Sequence, residues 1–202
     1  AWWLIGTELR FGRRREGIRQ PQLDDFSALV AASLIEKQPR MPDVLAIHFT
    51  DCDTTRHDFG TFSQEARESL ARLDARTGAL IDLLKANNRY EDTVIAVVSD
   101  HGQADIKGCV ALNSWFREHD VPAGVQSLGL GAYVRMHRGD YPLVLETLSR
   151  HMEELRLKTL YTREMLRDMH APEDVLLAVE PEEGFVVSEA ECKPEHRATH
   201  GF

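Results

Sequence analysis

The chain reads as an α/β protein, and three observations carry that reading. Two apolar runs, Val44-Leu-Ala-Ile-His-Phe-Thr50 and Thr93-Val-Ile-Ala-Val-Val98, have the length and composition of strands covered on both faces. A long helical pattern over residues 63–86 lies between them, which makes a strand–helix–strand unit with a right-handed crossover and parallel neighbours. Each run also ends in a polar cluster, Asp51-Cys52-Asp53 with His57 after the first and Ser99-Asp100-His101-Gly102 after the second. Ligands in such sheets bind just past the carboxyl ends of the strands, so both clusters fall where chemistry is done.

The elements follow in order. Residues 24–37 carry a helical stripe at Phe26, Leu29, Val30 and Leu34, with Asp24-Asp25 at the positive end of the dipole and Pro39 and Pro42 stopping it. The helix at 63–86 has Thr61 and Gln64 in the manner of a capping box, and Leu70, Leu73, Leu80, Ile81 and Leu84 as its buried stripe. A short amphipathic helix is expected at 111–119 through Leu112, Trp115 and Phe116. A strand follows at 130–136, then a helix at 142–156 on Leu145, Leu148, Met152 and Leu155. A short helix at 162–169 precedes strands near 175–180 and 184–188, which Pro181-Glu-Glu-Gly184 would join as a hairpin. No repeat or linker divides the chain, so residues 1–202 are expected to form a single, partial domain.

Composition narrows the class. At 202 residues, with 43% hydrophobic and 28% charged positions, the chain is that of a globular protein with a sizeable core. No apolar run reaches the roughly 18–20 residues that span a bilayer, so no membrane segment is expected. A net charge of −9 disfavours binding to a nucleic-acid polymer, and the one basic run, Arg13-Arg14-Arg15, reads as a solvated loop. Cys52, Cys109 and Cys192 are odd in number and scattered, which argues against a disulfide framework and fits a reducing, cytoplasmic location. The opening Ala1-Trp-Trp-Leu-Ile5 lacks Met and a basic flank, and the chain stops at Phe202; both ends read as cut.

The clusters carry the chemistry. Asp53 and His57 are four apart, so a helical turn after Thr50 puts them on one face. A carboxylate beside an imidazole suits zinc or manganese, although a capping Asp with a surface His would leave the same spacing. Asp100 and His101 stand together at the end of an apolar strand, where Gly102 lets the backbone turn sharply. His48 reads as a satisfied core residue, and His119, His137, His151, His170 and His196 as surface or helix-end residues. Trp2, Trp3 and Trp115 read as packing residues.

In this order the residues resemble the alkaline phosphatase superfamily, most closely its type I phosphodiesterase/nucleotide pyrophosphatase branch. The family's Asp-x-x-x-His motif with a following glycine stands here as Asp53-Thr-Thr-Arg-His57-Asp-Phe-Gly60, with Arg56 where glycine is common. Its Ser-Asp-His-Gly motif stands at 99–102, and its late His-Gly-Tyr/Phe motif at His200-Gly201-Phe202. The resemblance implies a three-layer αβα fold with a largely parallel central sheet, incomplete at its N-terminus. It also implies two divalent metal ions, zinc or manganese. Asp53, His57 and His200 would hold one, and Asp100 and His101 would be two ligands of the second.

The implied reaction is two-metal hydrolysis of a small-molecule phosphodiester or pyrophosphate by a Thr or Ser nucleophile. That nucleophile and a further Asp are expected outside this segment, since Ile5-Gly-Thr-Glu-Leu9 lacks the setting of a helix start after a strand and disfavours Thr7. The segment alone is therefore expected to be nearly inactive. A phosphonate hydrolase, a phosphomonoesterase, a phosphoglycerate mutase or a catalytically dead metal-binding relative would share the same motifs. An HD-type reading from His57-Asp58 lacks the further histidines it needs.

Overall fold

In the computed structural model of the protein, residues 19–189, 192 and 197–200 are described. Thr7, the Arg13–Arg15 run, Trp2, Trp3, His196, Gly201 and Phe202 lie outside them. The chain forms two compact units, residues 1–99 and 100–202.

The described part of the first unit is helical: α1 (Gln22–Lys37), α2 (Asp51–Phe59) and α3 (Gln64–Ala86). Both long helices form where the periodicity predicts; the expected stripes are mostly half-buried, with Leu84 buried, and the most covered positions also include polar side chains. On α1 the buried residues are Asp24, Ala31, Ser33 and Ile35. On α3 they are Ala66, Ser69, Arg76 and Leu84, while Leu70 is about half exposed at 51%. The N-cap of α3 is Ser63, whose hydroxyl accepts from the Ala66 amide at 3.0 Å; the Thr61–Gln64 box is not the cap used.

Neither expected strand in this unit, 44–50 or 93–98, pairs with another strand among the described residues. An apolar run gives a segment the composition of a buried strand, but a ladder needs a neighbour. Val94 is 96% exposed and Val98 87%, and His48 is exposed rather than a satisfied core residue.

The second unit holds the sheets. Its elements are β1 (Ala104–Asp105), β2 (Gly108–Val110), α4 (Leu112–Glu118), β3 (Ala123–Ser127), β4 (Ala132–Met136), α5 (Tyr141–Arg150), β5 (Leu157–Tyr161), α6 (Arg163–Asp168), β6 (Leu177–Pro181), β7 (Phe185–Val187) and β8 (Ala198–Thr199). Strands β3-β4-β6-β5 form an antiparallel sheet, β2 pairs in parallel with β7, and β1 pairs antiparallel with β8. Leu112 and Phe116 of α4, with Val144 and Leu148 of α5, pack on Val134, Leu177 and Val179 of the sheet. All of these are at most 2% exposed.

Two expectations in this unit are corrected. The helix at 142–156 stops at Arg150, because Leu157 N–H turns back to Met152 C=O at 2.8 Å and the chain reverses into β5, a strand the pattern does not announce. Strands β6 and β7 do not form a hairpin. Gly184, with φ +86, lets β7 leave the sheet of β6 and run beside β2. Cys109 and Cys192 form a disulfide, so the reading of unpaired thiols fails for that pair; Cys52 is the free one. Scattered spacing carries no information about which cysteines the topology brings together. No helix among the described residues is long and apolar enough to cross a membrane.

Candidate metal centre

The first half of the candidate site stands on α2. Four residues make just over one turn, and they bring Asp53 Oδ1 to 3.4 Å from His57 Nε2. Gly60 ends the helix with φ +100, a conformation open to glycine, and its amide closes on Arg56 C=O at 2.8 Å. His57 is mostly covered and Asp53 is partly open, at 16% and 37% side-chain exposure. Two donor atoms about 2.1 Å from one tetrahedral zinc ion lie about 3.4 Å apart. Asp53 and His57 therefore form a possible metal site, and the pair fits an ion without rearrangement.

The other acidic members of the first cluster serve a different end. Asp51 is 1% exposed and accepts from Arg72 Nε at 2.7 Å, Arg72 Nη2 at 3.0 Å, Arg76 Nη1 at 3.3 Å and Thr55 Oγ1 at 3.2 Å. Burial pushes its carboxyl up, but the hydrogen bonds and charge of Arg72, aided by Arg76 and Thr55, outweigh burial and hold it below the usual carboxylate range. Cys52 Sγ lies 3.5 Å from Ser69 Oγ, which donates to it. These contacts were not foreseen. The sequence signal for them is a pair of arginines, Arg72 and Arg76, one turn apart on a helix with a buried face.

A second Asp–His pair stands in the other unit. Asp100 Oδ2 is 3.5 Å from His101 Nε2, and Asp100 Oδ1 accepts the His101 amide at 3.2 Å. His101 Nδ1 lies 3.1 Å from Gly102 C=O, which assigns the proton to Nδ1 and makes Nε2 the basic nitrogen. His200 stacks on His101 with ring centroids 3.7 Å apart and planes 15° from parallel. Pairing of β1 with β8 aligns Ala104 with Thr199 and Asp105 with Ala198, and Ile106 N–H donates to Arg197 C=O at 2.8 Å. That short ladder carries the late histidine motif back to the Ser-Asp-His-Gly turn, across about a hundred residues of sequence.

Each pair thus presents a carboxylate and an imidazole with donor atoms at metal-ligand separation. His119 and His151 are the helix-end residues expected, standing at the C-terminal caps of α4 and α5. Trp115 is 9% exposed and packs in the core, its indole N–H on Glu154 at 3.1 Å.

Comparison with known proteins places these residues in context. The family model described as type I phosphodiesterase/nucleotide pyrophosphatase matches residues 7–202. Venom phosphodiesterase 2 of Crotalus adamanteus is 31% identical over 67 residues, 33% of this chain and 8% of that protein. Ectonucleotide pyrophosphatase/phosphodiesterase family member 1 of Homo sapiens is 30% identical over 76 residues, 37% of this chain and 8% of that protein. Among solved structures, the murine ectonucleotide pyrophosphatase/phosphodiesterase 5, in an inactive form in complex with AMP, superposes with a TM-score of 0.71 at 19% identity. That match covers 87% of this chain and 48% of the murine one, so the chain spans about half the length of this structural relative. The shared fold is the α/β, alkaline phosphatase-like one.

Proposed function

The chain belongs to the type I phosphodiesterase/nucleotide pyrophosphatase family, and from that premise we propose that it carries most of the metal centre of a hydrolase acting on nucleotide-type phosphodiesters or pyrophosphates. The observation that carries the reading is the Asp53 Oδ1 to His57 Nε2 separation of 3.4 Å at the family's Asp-x-x-x-His position. Asp53, His57 and His200 hold one divalent ion, and Asp100 and His101 are two ligands of a second. Carboxylate and imidazole donors favour zinc, with manganese the next choice. Such a pair of ions supplies Lewis-acid stabilisation of the charge that develops on the phosphoryl oxygens.

The chain's own residues orient and balance the site. Asp53 and Asp100 bring negative charge that offsets the cations, and the Gly102 carbonyl fixes the His101 ring so that Nε2 faces its ligand. The nucleophile is a Thr or Ser in the part of the family fold that these motifs do not include. We place the protein in an oxidising compartment, where the Cys109–Cys192 disulfide persists, and not in the reducing one expected from cysteine spacing.

Metal analysis tests this directly. In the complete gene product, Asp53→Ala and Asp100→Ala should each lower the zinc content by about one of two equivalents. Turnover of bis-p-nitrophenyl phosphate by the complete gene product should fall with either substitution. Unchanged zinc content in both variants would refute the assignment.

A further inference from the structure

The helix that carries Asp53 and His57 does not cap itself. Its N-cap residue, Thr50, makes no side-chain capping bond. The exposed amides at a helix start need acceptors, and here they come from a different helix. Asp24 of α1, 1% exposed, accepts the Thr50 amide on Oδ1 and the Asp51 amide on Oδ2, both at 3.0 Å. One carboxylate 26 residues upstream thus sits on the positive end of α2.

The same turn is gripped from the other side by α3. Arg72 makes a forked pair of bonds to Asp51, at 2.7 and 3.0 Å, which fixes direction as well as distance. Arg76, itself 9% exposed, reaches Asp51 at 3.3 Å, Asp25 at 2.7 and 2.9 Å, and the Pro21 carbonyl at 3.1 Å. Its Nη1 is 3.9 Å from Asp24. Three helices therefore meet through one partly buried lattice of charge, and that lattice closes on Thr50 and Asp51 at the start of the helix that carries Asp53.

We propose that Asp24, Asp51, Arg72 and Arg76 are positioning residues for the metal centre. They fix the tilt and rotation of α2 so that Asp53 and His57 present their donors to one ion. The inference rests on the metal reading above. Helix packing alone does not call for a forked arginine at Asp51. A helix that must hold two ligand atoms to a few tenths of an ångström does.

The test uses the whole chain, stripped of metal and titrated with Co2+, whose visible absorption reports both affinity and ligand geometry. Wild type, Asp53→Ala, Asp24→Asn and Arg72→Lys are compared at a temperature where circular dichroism shows each folded. Arg72→Lys keeps the charge but loses the fork, so it decides the matter if Asp24→Asn fails to fold. The expected result is that Arg72→Lys and Asp24→Asn weaken Co2+ binding about 10–100-fold and alter its spectrum. Wild-type affinity and spectrum in a folded Arg72→Lys chain would overturn the positioning role, leaving the lattice purely structural. If Asp53→Ala also binds Co2+ as wild type does, the metal reading itself has failed.

Discussion

The two units are held together by opposite means. In the first, the buried groups among the described residues include Asp24, Asp51, Ser69 and Arg76, and the apolar run 93–98 is mostly exposed. In the second, the interior is Leu112, Phe116, Leu148, Leu177 and their neighbours, and the charged pairs lie at the rim. A lattice of buried charge is directional, and each member depends on the rest, because any charge left alone pays its full desolvation cost. An apolar core is tolerant of direction and sensitive to volume. The helical unit, which carries Asp53 and His57, uses direction. The unit that supports a sheet uses volume.

The largest effects should come from removing the centre of each. Arg76→Met leaves Asp51 and Asp25 without their shared partner and should cost about 3–5 kcal/mol, read as loss of amide protection across α1, α2 and α3. Phe116→Ala opens a cavity under β3 and β4 and should also cost about 3–5 kcal/mol, read in the amides of α4 and the sheet. If Arg76→Met cost no more than a surface substitution, the contrast between the units would collapse.

Glycines sharpen the contrast with a change of sign. An added Cβ at Gly131 would meet the backbone carbonyl of Val179 at 2.9 Å, so Gly131→Ala should destabilise by about 1–3 kcal/mol. At Gly78, within α3, nothing lies within 4 Å of the added atom. Gly78→Ala should stabilise by roughly 0.4–1 kcal/mol. Urea titrations of the two variants should move their midpoints in opposite directions.

How much of this was legible in the sequence follows the range of the forces. Helices and their approximate ends are local, and α1, α3, α4 and α6 stand where periodicity puts them. The metal motifs are local too: four residues along a helix place Asp53 by His57, and adjacency places Asp100 by His101. What escaped is long-range. Arg72 and Asp51 are 21 residues apart, Asp24 and Thr50 are 26, and Cys109 and Cys192 are 83. Runs 44–50 and 93–98 show the converse error, since composition reports a preference for burial in a sheet and not the presence of a partner. His200 was placed through resemblance. Its stacking on His101 depends on a two-residue ladder, too short to leave a pattern.

The smallest expected effect separates the units by pH. In the second unit Glu180 accepts the Tyr161 hydroxyl, which lowers its carboxyl first; burial opposes, and Lys158 at 3.0 Å adds to the lowering. In the first unit Asp51 is held low against burial by Arg72 and Arg76. In the unfolded chain the two groups titrate near their ordinary values, 4.5 for Glu180 and 3.8 for Asp51. A carboxyl depressed by folding contributes fully above its unfolded value and loses that contribution as pH falls through the unfolded and then the folded value. Stability from Glu180 should therefore begin to fade near pH 4.5 and that from Asp51 only below it. Lys158 is 63% exposed, so solvent screens its pairing with Glu180, and Glu180→Gln should cost less than about 1 kcal/mol at neutral pH. That difference should shrink as pH falls below 4.5 in urea titrations. A Glu180→Gln penalty that stays constant from pH 7 to pH 3 would mean that shape, and not charge, holds β5 to β6, which would bring the rim of the second unit under the same rule as its core.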